Sequence, residues 1–247
     1  MSTLLISSLV AGCGPTEPTE PPATAPTEAP AATEAPMATE PPAPTEAAAA
    51  DELTGEIVVA QTLEPTTIDP NMDTLIIVQN IMANMFDSLV AFDANMELQP
   101  SLAESWEAKD QTTYEFKLRP GVTFHNGQEL TSEDVKYTVE WILDEANASK
   151  QYRYFENISE VETPDESTVV IKLNEPYAPM LSNLTLLWIV PKATIDEMGR
   201  EAFAQNPIGT GPYKFVEWLK DQRLVMEAYE DHWRGAPSIG RAIRRNI

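Results

Sequence analysis

Residues 14–50 hold no lysine, arginine or aromatic residue and consist almost wholly of Pro, Thr, Glu and Ala. So little apolar surface cannot offset the entropy of ordering, and the stretch is expected to be disordered. A loose repeat runs through it: Pro-Thr-Glu at 15–17, 18–20, 26–28 and 44–46, and Ala-Thr-Glu at 32–34 and 38–40. The prolines bias it to polyproline II and the glutamates repel one another. It is therefore a semi-extended tether with a reach on the order of 100 Å, at about 3.1 Å per residue. Residues 51–247 are left to fold, a size at which one core is comfortable.

Ahead of the tether, residues 4–12 (LLISSLVAG) are apolar or small and end on Cys13, the single cysteine of the chain. An apolar run closing on small residues has the shape of a secretory signal. Val10-Ala11-Gly12-Cys13 resembles the bacterial lipobox, in which the cysteine is lipidated; two acyl chains suffice for stable anchoring. The pattern departs from a lipobox signal in having no Lys or Arg before the apolar run, which suggests a start upstream of Met1. One cysteine permits no internal disulfide, and the sequence has no apolar run of 18 or more residues to span a membrane.

The chain carries 39 acids and 16 bases, a formal charge of −23. Glu17, Glu20, Glu28, Glu34, Glu40 and Glu46 lie in the tether, which leaves 33 acids and 16 bases, or −17, for the remainder. Such a surface excludes nucleic acid as a partner, because no clustered cations are available to displace counterions. A basic membrane-surface helix is excluded on the same ground.

From residue 51 onward, strands and helices alternate at short intervals, as in α/β or α+β proteins. Residues 56–62 read as a strand buried on both faces, and 63–73 as a loop. A helix from about Thr74 presents Val78, Ile81, Met82, Met85, Phe86 and Leu89 as one stripe. Residues 112–118 and 167–173 alternate as half-buried strands. Thr131 and Asp134 form a capping-box start for a helix carrying Val135, Val139, Ile142, Leu143 and Ala146. Segments 213–218, 222–228 and 239–247 read as three further strands. The last has no cap or breaker after it, so the chain is expected to be the N-terminal part of a longer protein.

No residue pattern recommends catalytic chemistry. The two histidines, His125 and His232, are far apart in sequence and read as structural or surface residues. No compact ligand set recommends zinc. Gly209-x-Gly211 is no dinucleotide fingerprint, because Lys214 holds the third glycine's place. The expectation is no enzyme, no catalytic residues, no metal and no cofactor.

Several blocks, in order, carry a resemblance: Ile68-Asp69-Pro70; Phe86-Asp87-Ser88-Leu89-Val90; the run from Pro100 to Val135 with Trp106 and Phe124-His125-Asn126-Gly127; Asn206-Pro207-Ile208-Gly209-Thr210-Gly211-Pro212-Tyr213 with Trp218; and Tyr229 to Trp233. Together they resemble the extracytoplasmic solute-binding proteins of the peptide, dipeptide and nickel import class (family 5). The resemblance implies an α/β, periplasmic-binding-protein-like fold of two lobes, of which this chain holds an incomplete first lobe. It places 51–74 and 196–247 in the main lobe and 75–195 in an inserted subdomain. It also implies a monomeric lipoprotein outside the cytoplasmic membrane, held there by its anchor, that captures peptides and hands them to an ABC permease. A nickel chelate, sugar or opine ligand, or an adhesion or chaperone role, are the alternatives. Thr62, Leu63 and Glu64 align with the cleft, Glu64 being either a partner for a ligand ammonium or a solvated loop acid. Trp188 either lines the cleft or packs in the core, and Tyr152 and Tyr154 are further candidates. Trp106, the His125 block, Tyr213 and Trp218 read as structural. Expressed alone, such a lobe is expected to be marginally stable and to bind no peptide tightly.

Overall fold

The computed structural model describes residues 55–247. The signal-like segment, Cys13 and the tether lie outside the described residues. The chain runs β1 (Glu56–Gln61), α1 (Ile76–Met85), β2 (Val90–Phe92), β3 (Leu98–Pro100), β4 (Ala103–Ala108), β5 (Thr113–Leu118) and α2 (Ser132–Leu143). It continues with α3 (Tyr152–Phe155), β6 (Ile158–Asp165), β7 (Thr168–Leu173), α4 (Met180–Asn183), α5 (Lys192–Met198) and α6 (Arg200–Phe203). Strands β8 (Tyr213–Leu219), β9 (Arg223–Ala228) and β10 (Arg241–Asn246) complete the described part.

Two four-stranded sheets and a small β2–β3 ribbon organise these elements, the mixed α/β class expected. The first sheet has the order β1-β10-β9-β8, with β1 parallel to β10 and the other pairs antiparallel. The second, β4-β5-β7-β6, is antiparallel throughout. Each sheet carries its own apolar cluster. Val78, Ile81, Met82 and Met85 of α1 pack with Trp188, Val190, Phe203, Leu224 and Met226 against the first sheet. Val135, Val139 and Ile142 of α2 pack with Phe116, Val169, Ile171 and Leu184 against the second. Ile208 touches both clusters.

Three sequence expectations need correction. Strand β1 is not buried on both faces: Ile57 and Val58 are 42% and 49% exposed, because the strand is an edge and pairs with β10 alone. Its apolar run signals strand propensity, not burial. Helix α1 stops at Met85; Phe86 turns extended while its N–H still closes onto the Met82 carbonyl at 2.8 Å. Helix α2 ends at Leu143, because the Asp144 carboxylate accepts the Ala146 N–H and starts a separate 3₁₀ turn, leaving Ala146 exposed. At its other end, the Thr131 N–H donates to the Asp134 carboxylate at 2.9 Å, as a capping box requires, and the Thr131 hydroxyl donates to the same carboxylate at 3.1 Å.

Candidate functional site

Between β1 and α1 the chain is irregular, and its prolines and aspartates make a loop whose polar groups are almost all spoken for. Asp69, 2% exposed, receives two hydrogen bonds from Arg200, at 2.6 and 2.5 Å. The same guanidinium donates to Asn71 Oδ1 at 2.9 Å and lies 3.8 Å from the centre of the Trp141 ring. Asn71, fully buried, passes the connection on: its Nδ2 donates to the Trp188 carbonyl, and its own carbonyl accepts the Ser149 hydroxyl. Gln151 Nε2 donates to the Pro70 carbonyl at 2.9 Å.

Asp73 closes the loop. Its carboxylate accepts the Thr66 hydroxyl, the Thr74 and Leu75 N–H groups and Lys150 Nζ. Burial works against its charge, but hydrogen bonds from Thr66, Leu75, Lys150 and Thr74 outweigh that and hold the carboxyl down at about 2. Gln79, one turn into α1, donates to the Asp73 carbonyl at 2.8 Å and accepts the Trp188 indole N–H at 2.7 Å. The result is a preformed polar wall in which residues 69–73, Gln79, Trp188 and 149–151 hold one another in place.

The structure brings together some of the sequence candidates and separates others. Trp188 and the segment leading into Tyr152 meet on residues 69–73. Tyr152 lines an open cavity of about 470 Å³ with Asp144, Glu145, Lys150 and Arg153. Trp188 is 8% exposed and belongs to the first core cluster, so its packing role is real; its edge also lines a groove of about 270 Å³. Tyr154 faces a different, smaller hollow with Glu156 and Tyr177. Thr62 and Leu63 are exposed, and Glu64 accepts the Trp218 indole N–H at 2.6 Å and takes no part in the hydrogen bonds around Asp73. Arg200, Asn71, Asp73 and Gln79 were not singled out in the sequence. Asp69 carries a local signal, lying in a Pro-flanked loop, but nothing local points to Arg200, 131 residues away.

His125 is a staple. Its Nε2 lies 2.9 Å from the Gly211 carbonyl and its Nδ1 accepts the Gly209 N–H at 3.2 Å, which places the proton on Nε2. Burial pushes the imidazole from 6.5 down to about 4, against the Gly211 hydrogen bond; Lys214, Asp87 and His232 are its charged or titratable neighbours. Between those two pH values the unfolded histidine binds a proton that the folded one refuses. Stability is therefore expected to be complete above pH 6.5 and to fall by roughly 3 kcal/mol as pH drops towards 4. Urea melts of wild type and His125→Gln across that range check this: the variant loses the slope, and a retained slope assigns it to other groups.

No group of three or more His, Cys, Asp or Glu suited to a metal ion occurs among the described residues. The network is satisfied internally and so forms a rigid frame, while the open cavity beside Tyr152 and the groove beside Trp188 are the spaces a ligand could enter.

Comparison with known proteins points the same way. The model of the bacterial extracellular solute-binding proteins, family 5, middle region, matches residues 97–247. A putative ABC transporter peptide-binding protein of Brucella ovis is 37% identical over 172 residues, covering 66% of this chain and 32% of the relative. NikZ of Campylobacter jejuni, solved in complex with Ni(L-His), superposes with a TM-score of 0.72 at 34% identity, over 78% of this chain and 39% of its own. The oligopeptide-binding protein AppA of Bacillus subtilis, solved with a nonapeptide, gives 0.73 at 29% identity, over 78% and 40%. The chain thus spans about a third of the length of the curated relatives it matches.

Proposed function

This chain belongs to the bacterial extracellular solute-binding proteins of family 5, binding proteins and not enzymes, and on that premise we propose that it captures short peptides outside the cytoplasmic membrane for an ABC permease. The observation that carries the reading is the hydrogen-bonded wall of residues 69–73, Gln79 and Trp188, with Tyr152 at its side. Groups fixed in this way lose little freedom when a ligand arrives, which favours affinity. The peptide ligand named for the Brucella relative and for AppA is the one favoured here.

In this proposal the protein acts as a monomer, lipidated at Cys13 and held off the membrane by residues 14–50. Residues 51–74 and 196–247 build the main lobe and 75–195 the inserted subdomain, an arrangement in which α1 packs onto the main lobe's sheet. Glu64 keeps one carboxylate oxygen on Trp218 and offers its charge to a ligand ammonium, beside Thr62 and Leu63.

The test is calorimetric titration of the native protein with short peptides. Trp188→Ala and Tyr152→Ala are each expected to weaken binding about ten-fold or more, as removal of aromatic anchors does. Tyr154→Ala, in its separate hollow, is expected to change affinity by less than about three-fold. Unchanged affinity in both Trp188→Ala and Tyr152→Ala overturns the placement of the site. A nickel–histidine chelate binding where peptides do not reassigns the ligand.

A further inference from the structure

On the β2–β3 side of the molecule, two arginines converge on one tryptophan. The guanidinium carbons of Arg119 and Arg234 lie 4.6 and 4.3 Å from the centre of the Trp233 ring. Both also grip the same buried serine: Arg119 Nε donates to the Ser101 carbonyl at 3.3 Å and Arg234 Nη2 to its hydroxyl at 3.0 Å. Neither arginine has a carboxylate within ion-pair distance among the described residues. That is unexpected in a sequence where 39 acids face 16 bases. The nearby acid, Asp87, reaches the cluster through the indole: Trp233 Nε1 donates to its Oδ2 at 3.0 Å, an oxygen that also accepts the Thr210 hydroxyl at 3.1 Å and lies 3.5 Å from His232 Nε2.

Two guanidiniums share one indole and one serine without a counter-charge among the described residues, and contact with the indole offsets only part of that cost. Each guanidinium has five N–H donors, and the interactions above use one apiece. Arg234 is exposed and Arg119 half-buried, so the rest are within reach of solvent. Beside Arg234 and Ser101 opens the groove of about 270 Å³, with Phe92, Thr185, Trp188 and Asp87 on its walls, the Asp87 carboxylate being already engaged by Trp233 and Thr210.

We propose that Arg119, Arg234 and Ser101 form a binding site for a phosphate-type oxyanion at the end of the groove that Trp188 also lines, argued from different residues and not dependent on the peptide-binding reading. Planar guanidinium forks suit phosphate oxygens, and two converging cations favour a dianion, the form a phosphate monoester or inorganic phosphate takes near neutral pH. A phospholipid headgroup offers the same phosphate chemistry as a monoanion.

The experiment uses the full chain carrying Cys13→Ser, so that acylation supplies no membrane affinity. Inorganic phosphate is titrated at constant ionic strength and followed by the chemical shifts of the arginine side chains. Saturable binding is expected, weakened about ten-fold or more in Arg234→Ala and clearly weakened in Arg234→Lys, which keeps the charge and loses the fork. Flotation on phosphatidylcholine vesicles with and without phosphatidylglycerol separates the sources. Arg234-dependent flotation assigns the site to a headgroup, and phosphate binding without flotation assigns it to a soluble anion. Phosphate that binds no better than chloride, with no flotation, overturns the proposal, as does binding that is equal in wild type and Arg234→Ala with circular dichroism unchanged.

Discussion

Gly209→Ala is expected to destabilise the fold by about 3 kcal/mol or more. A Cβ at this position would sit 2.0 Å from the Met85 carbonyl oxygen and 2.6 Å from Phe86 Cδ1. At Gly211 it would lie 2.5 Å from Met85 C and 2.6 Å from Phe86 N. These neighbours are mostly backbone at the end of α1, and that end is fixed. The Gly211 N–H donates to the Met85 carbonyl at 3.0 Å, the Asp87 N–H meets the Thr210 hydroxyl at 3.3 Å, and His125 clamps the far side of the glycine segment. Phe86 is 1% exposed, with Phe203 edge-on to it at 6.4 Å, so its ring has nowhere to go.

Overpacking a rigid site typically costs 1–3 kcal/mol, and a collision with backbone belongs at the upper end or beyond. Against a total stability of about 5–15 kcal/mol that is a large share of the margin. Gly127→Ala is the control. Its φ is +83° but no atom lies within 4 Å of the added carbon, so only the left-handed backbone is penalised, at about 1–2 kcal/mol. Thermal melts should rank the two variants in that order. A Gly209→Ala protein that melts beside its parent shows that 209–211 does not approach α1 so closely.

Arg200→Met is expected to cost about 3–5 kcal/mol, the penalty for leaving a buried carboxylate without its partner. Methionine keeps an apolar stem over Trp141 and removes the charge, so the loss reports mainly on Asp69, whose side chain is 2% exposed. Asn71 loses a donor as well, and with it the support that carries through to the Trp188 carbonyl. The double variant Asp69→Asn/Arg200→Met is expected to recover a large part of the loss, because it buries no lone charge. Urea midpoints of the four proteins close the cycle. If Arg200→Met loses less than about 1 kcal/mol, the pair is solvated and the loop is not anchored as described.

Periodicity explains which elements were legible in the sequence. The stripe from Val78 to Met85, the Thr131–Asp134 cap and the alternation of Tyr114, Phe116 and Leu118 are local patterns that appear where expected, whereas Phe86 and Leu89, read as the same helix, lie beyond its end. Strands β4 and β6 are mostly acids and small residues, with Trp106 or Ile158 and Val161 as their apolar content, and β2 and β3 are three residues each. Cross-strand partners stabilise these strands, and a single-chain pattern does not record partners. The same limit governs the site. Trp188 and Tyr152 could be marked through the resemblance to family 5. Gln79 and Trp188, by contrast, lie 109 residues apart and meet only after folding.

The most direct measurement offers the native protein a defined pool of short peptides, removes what is unbound and identifies the remainder by mass spectrometry. A peptide-capturing member of family 5 is expected to retain a subset with masses unchanged, and Trp188→Ala to retain much less. Retention of no peptide, or recovery of cleaved products in place of intact ones, contradicts the account.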